Sequence, residues 1–228
     1  MKLQETLARL RALADPQAVR GMARFGISLD GTLGVTVPAL RKLAQELGKD
    51  HALAQRLWES GIHEARILAA LVDEPEMVSG EQAERWVRDL DSWDVCDQWC
   101  ANLLWATPFA YDKAVEWSER EQEFVRRAGF ALMASLAWKD KGASDGRFEP
   151  FFAAIVAGAR DERNFVKKAV NWALRQIGKR SPHLNRRAIA TAQGIQRLDS
   201  RSARWIASDA LRELTGDAVQ ERLRRRRV

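Results

Sequence analysis

Residues 123–138 read EFVRRAGFALMASLAW, and residues 164–178 read NFVKKAVNWALRQIG. At an offset of 41, Phe124-Val125-Arg126-Arg127-Ala128 falls on Phe165-Val166-Lys167-Lys168-Ala169. In both stretches apolar residues recur at three- and four-residue steps, which places them along one face of an α-helix. A shorter likeness joins Trp172-Ala173-Leu174-Arg175 to Asp209-Ala210-Leu211-Arg212 at an offset of 37.

Self-similarity with a period near forty marks stacked helix pairs, because one pair cannot bury its apolar face alone. The same helical stripe runs through LARLRALA, VPALRKLAQEL, EQAERWVRDL and SARWIASDALREL. GISLDGTLGVTVP, residues 26–38, is the one glycine-rich, β-branched stretch, and Pro38 should open the next helix in its first turn. The expected architecture is therefore all-α: a HEAT-like helical repeat solenoid with a concave basic face. On that face Arg126 and Arg127, then Lys167 and Lys168, would stand in successive repeats. No linker interrupts the pattern, so residues 1–228 are expected to form a single HEAT-like repeat domain. Its basic tail, 220–228, is expected to fray.

Composition narrows the class. The chain has 228 residues, of which 46% are hydrophobic and 30% charged, a globular balance rather than a disordered or membrane-spanning one. Its net charge is +6 and is unevenly spread. Residues 1–114 hold 13 Lys/Arg against 17 Asp/Glu, and residues 115–228 hold 24 against 14. A second half at +10 points first to a nucleic-acid partner and second to an acidic membrane surface. Cys96 and Cys100 lie four apart on an expected helix, an improbable structural disulfide, and His51, His63 and His183 show no zinc spacing. The charged N-terminus does not read as a signal peptide, and a cytoplasmic protein without membrane association is expected.

The stretch DSWDVCDQWCANLLW, residues 91–105, holds three tryptophans and three aspartates. Asp91 or Ser92 suits a helix N-cap, and Asp94 suits the positive first turn. Asp97 has no such role. At about 100° per residue the apolar arc centres on Cys96, Trp99 and Leu103, and Trp93 and Asp97 share its flank one above the other. That acid is either a rim carboxylate paired with an arginine or a group held beside an indole for chemistry. Arg127, between Phe124 and Phe130, fits either an inter-repeat ion pair or a fork for phosphate. Trp172, between Lys168 and Arg175, is either a core indole or a ligand platform. Together, two indoles, a carboxylate and a guanidinium could hold a cationic group on a phosphate backbone and stabilise positive charge developing on a sugar.

SWDVCDQW, FVRRAGFAL and VKKAVNWALRQIGK, with LGVTVPALRKLAQEL nearer the N-terminus, resemble the DNA alkylation repair enzyme family, the AlkD-like HEAT-repeat DNA glycosylases. The resemblance spans nearly the whole chain, and its specificity lies in the ordered set Trp-x-x-x-Asp, Arg, Trp. It implies excision of cationic N3- and N7-alkylated purines, 3-methyladenine and 7-methylguanine, from double-stranded DNA in base excision repair. It assigns the catalytic set Asp97, Trp93, Trp172 and Arg127. The indoles would meet the lesion's deoxyribose, Asp97 would stabilise an oxocarbenium-like transition state and orient water, and Arg127 would hold the lesion's phosphate. Arg126, Lys167, Lys168, Arg175 and Lys179 are the expected DNA-binding cations. No metal or organic cofactor is implied, and a monomer is expected. Two positions depart from the family pattern: Met22 stands near where the family carries a DNA-contacting aromatic, and Ser92 where a second tryptophan can occur. The alternative is a HEAT-repeat protein that binds DNA structures without catalysis.

Overall fold

The structure, a computed structural model, describes residues 3–225. These form fourteen α-helices and no strand. They are α1 (Leu3–Ala12), α2 (Pro16–Met22), α3 (Val37–Leu47), α4 (His51–Glu59), α5 (His63–Val72), α6 (Gly80–Arg88) and α7 (Trp93–Asn102), then α8 (Ala110–Ser118), α9 (Glu123–Lys139), α10 (Glu149–Gly158), α11 (Asn164–Gly178), α12 (Pro182–Gln196), α13 (Arg201–Leu214) and α14 (Asp217–Arg225). Two compact units divide at Thr107 and Pro108. The helical periodicity runs on across that boundary without a linker, which is why the sequence reads as one uninterrupted domain. Thr107 is extended, the conformation that a following proline favours.

In the first unit α5 is the axle. It packs against α3, α4 and α7, and its residues His63, Glu64, Ala65, Ile67, Leu68, Ala69, Ala70 and Val72 are buried. A helix apolar on nearly every side belongs inside. Trp58 of α4 and Trp86 of α6 stack with centroids 4.1 Å apart and planes 5° from parallel. Trp99 of α7 leans on both, at 5.8 and 6.3 Å. The glycine-rich stretch forms no strand. Residues 33–35 instead donate three backbone N–H groups to the buried carboxylate of Glu64, from Leu33 at 2.8 Å, Gly34 at 2.6 Å and Val35 at 3.2 Å. Gly34 has φ +80°, and a Cβ there would stand 2.3 Å from the Asp15 carbonyl. Pro38 lies in the first turn of α3 as expected, behind an N-cap at Thr36.

In the second unit α9, α11 and α13 lie side by side, backed by α8, α10 and α12. Helix pairs therefore stack as the repeat period predicts. Phe124 and Phe165, aligned in sequence at 41, meet at 5.5 Å. Gly129 lets α9 sit directly on α8, since a Cβ there would approach Ser118 N to 2.4 Å. The C-terminal cluster is not frayed through Arg225. Residues 217–225 are helical, with Val219 and Leu223 buried, while Arg226, Arg227 and Val228 lie outside the described residues. Among the described residues no helix is long and apolar enough to cross a membrane.

Candidate active site

α7 presents the acid. Ser92 occupies the N-cap, but its hydroxyl donates to Asp94 Oδ1 at 2.7 Å instead of accepting a backbone N–H. Val95, Cys96, Trp99 and Cys100 face inward, with buried Leu103 just beyond. Trp93 and Asp97 are both half-buried on the flank of that arc. Four residues apart, they stand about 6 Å along one helix face. The Trp93 indole N–H donates to the Phe25 carbonyl at 3.0 Å, which fixes the ring's edge. Phe25 closes the short 3₁₀ turn Ala23–Phe25 and is 68% exposed. An exposed aromatic thus lies three residues beyond half-buried Met22, with its backbone bonded to the candidate indole.

A buried ion pair anchors the start of α7. His63 Nε2 and Asp94 Oδ2 stand 2.8 Å apart. Burial opposes charge on His63, but the hydrogen bond to Asp94 and the nearby acids outweigh it, so its pKa lies above the ordinary 6.5. Burial likewise opposes charge on Asp94, yet His63 and the Ser92 hydroxyl hold its carboxyl below the ordinary 3.8. The order Ser92–Asp94–His63 puts the carboxylate in the middle, so histidine does not touch the hydroxyl and no nucleophilic serine is set up.

Arg127, Trp172 and the candidate cations belong to the second unit. Arg127 is only 5% exposed, and its Nη1 donates to the Phe165 carbonyl at 2.6 Å. That contact ties α9 to the first turn of α11, an inter-repeat role. Arg126 Nη1 reaches Asp161 Oδ2 at 3.0 Å and its Nε donates to the Ser118 carbonyl at 2.9 Å. Burial works against the Asp161 charge, but bonds from Arg163 and Arg126 hold its carboxyl below the usual range.

α11 carries most of the remaining candidates. Lys168, Trp172, Arg175 and Lys179 follow one another at helical spacing along one stripe. Lys168 is exposed and Trp172 half-buried. Lys167 places its ammonium 5.1 Å from the Trp205 ring centroid. Arg175 and Lys179 converge on Glu213 of α13, each at 2.5 Å, and Arg175 lies 3.4 Å from Asp209. Their pull outweighs burial and lowers the Glu213 pKa. The expected phosphate contacts of Arg175, Lys179 and Arg126 therefore compete with internal carboxylates. Trp205, 41% exposed, escaped the sequence reading, although its spacing within SARWIASDAL sets it off the buried stripe.

Within the first unit, an indole and a carboxylate share one rim on a helix pinned by a tryptophan cluster. Within the second, an indole, an exposed lysine and a supporting arginine gather on and behind α11. A carboxylate at such a rim can stabilise a neighbouring cation, and a lysine-bearing stripe can meet phosphate. No group of three or more His, Cys, Asp or Glu among the described residues could hold a metal ion.

A family model described as DNA alkylation repair enzyme matches residues 6–214. One solved structure is described as "A new family of proteins related to the HEAT-like repeat DNA glycosylases with affinity for branched DNA structures". It superposes with a TM-score of 0.77 at 19% identity, covering 94% of this chain and 96% of its own. That likeness shows the fold, which is HEAT-like. A designed armadillo repeat protein is similar at a TM-score of 0.37 and 17% identity over 78% of this chain and 92% of its own. No curated protein matches the chain.

Proposed function

Because the chain belongs to the DNA alkylation repair enzyme family, we propose that it is a DNA glycosylase releasing cationic N3- and N7-alkylated purines, such as 3-methyladenine and 7-methylguanine, from duplex DNA. The observation that carries this reading is the placement of Asp97 one turn after Trp93, both half-buried on the flank of α7.

The chemistry suits a site with few catalytic groups. An alkylated purine already bears positive charge. When the C1′–N bond breaks, its electron pair leaves with the base, which departs neutral, and the charge passes to the sugar. The Asp97 carboxylate stabilises that sugar cation. At about 4 Å, opposite unit charges attract by about 4 kcal/mol in a partly desolvated setting. Water then adds to C1′, and its proton passes to Asp97 and on to solvent. Within the first unit the face of Trp93 attracts the same cation. Lys168 and Lys167 meet the backbone phosphates, while Arg127 sets the position of α11 through Phe165 and reaches phosphate with little more than its exposed edge.

A second reading, binding of branched DNA without catalysis, draws on the words used for the similar structure. Incubation with methylated duplex DNA, without added metal, separates the two. We expect release of 7-methylguanine, and Asp97→Asn to slow it about 10²–10³-fold with unchanged DNA affinity. Tight, salt-sensitive binding with no base released would favour the second reading.

A further inference from the structure

The last turns of α9 and α11, the loop at 140–145 and α14 enclose a cleft of 350 Å³ within the second unit. Its walls carry Lys141, Lys179, Arg180 and Arg222 against Asp145, with the indole of Trp138 at one side. The cleft is built rather than accidental. Arg180 donates to the carbonyl of Ala137 at 3.1 Å and to that of Ala143, which staples the loop to α9. Its guanidinium also covers Phe148 at 4.4 Å. Arg222 reaches across from α14 to the Lys179 carbonyl at 3.1 Å. Asp145 accepts from Ser181 at 2.5 Å, so the acid among the cations is engaged by a neutral donor.

Two further features bear on what the cleft takes. Trp138 is 40% exposed, an unusual state for the largest apolar side chain unless it meets a partner. One side of its ring carries the Lys139 ammonium at 4.6 Å. Gln176 and Lys179 in the wall lie four and seven residues beyond Trp172, on the same face of α11. The cleft thus begins about 6 Å along the helix from that indole, close to the spacing of successive nucleotides in an extended strand.

We propose that this cleft binds a single unpaired nucleotide, its base against Trp138 and its phosphate between Lys141 and Arg222. A flat aromatic beside clustered cations is the pairing by which proteins hold unpaired nucleotides, stacking the base without reading it and neutralising the phosphate. The proposal rests on the reading above only in taking the Trp172 face of α11 as turned to DNA. The nucleotide could belong to a strand or be free, and the test separates these sources.

The test measures fluorescence anisotropy on a blunt duplex and on the same duplex with a single-stranded tail, with deoxyadenosine monophosphate titrated separately. Wild type is expected to bind the tailed duplex about tenfold more tightly than the blunt one. Trp138→Ala should erase that preference, Trp138→Phe should keep most of it, and Arg222→Ala should weaken it. Base release from blunt methylated duplex should be unchanged in Trp138→Ala. Trp138-dependent binding of the tail identifies a strand nucleotide as occupant, and Trp138-dependent binding of the mononucleotide alone identifies a free one. Binding of neither, or binding that Trp138→Ala leaves intact, overturns the proposal. If Trp138→Ala erases the preference while wild type releases no base, the cleft stands and the glycosylase reading falls.

Discussion

His63 at the head of α5 and Asp94 in the first turn of α7 form an ion pair across 31 residues of sequence, 2.8 Å long and almost closed to water on the histidine side. It holds the helix that presents Trp93 and Asp97. Its strength depends on pH in a definite direction. The raised His63 pKa contributes stability that is complete below 6.5 and is lost as pH rises through the higher folded value. The lowered Asp94 pKa contributes stability that is complete above 3.8 and is lost as pH falls through the lower folded value. The pair is therefore strongest between those two ordinary values. Thermal unfolding of wild type should occur at lower temperature as pH rises from about 6 to about 8, and His63→Gln should flatten that decline. Parallel curves for the two proteins would show that the pair carries no pH-dependent stability.

Arg127 separates support from phosphate binding. Removing a buried guanidinium bonded to the Phe165 carbonyl should cost about 2–4 kcal/mol. Arg127→Ala should therefore melt several degrees lower, and Arg127→Lys should recover only part of the loss because an ammonium lacks the planar fork. An unaltered melting temperature with weaker DNA binding would instead assign Arg127 to the phosphate.

Glu213 restrains two cations that the sequence alone assigns to DNA. Glu213→Gln should release Arg175 and Lys179 from their shared carboxylate. DNA binding should then tighten, and the salt dependence of log K should steepen by about 0.9 for each phosphate newly neutralised. A slope identical to wild type in a salt titration would show that both cations stay within the helix layer.

These cases show what the sequence makes legible. The offset of 41 aligned Phe124 with Phe165, and the two rings meet because equivalent positions in stacked repeats are neighbours. The 3.6-residue period foretold that Asp97 and Trp93 would share a rim. Periodicity tells which face a cation lies on, but not which acid waits on the next helix. Arg175 and Lys179 read as phosphate ligands, and nothing in the sequence announces that Glu213, 38 and 34 residues on, stands opposite them. His63 and Asp94 were hidden for the same reason. Each is an unremarkable helix-start residue until tertiary packing joins them. Periodicity does not mark the division at Thr107, because the helical pattern continues on both sides.

Gly129 offers a test of repeat packing. A methyl group there meets backbone atoms of Ser118 and Ala114 rather than a yielding side chain. Gly129→Ala should destabilise the protein by about 1–3 kcal/mol despite alanine's better helix propensity. Chemical denaturation would show a lower midpoint at unchanged slope, and a raised midpoint would mean that α8 and α9 have room to part.

The Glu64 clasp sets a rule for how the N-terminal portion can vary. The core grips residues 33–35 by their amide protons, and of their side chains only that of Val35 is buried. Substitutions at Leu33 should be tolerated, whereas Gly34 is constrained sterically and Val35 by its burial. Deleting or adding a single residue there is another matter, since it would move the wrong amides under the carboxylate and leave a buried anion with its donors out of step. Alignment length between α2 and α3 should thus be more strictly kept than amino-acid identity.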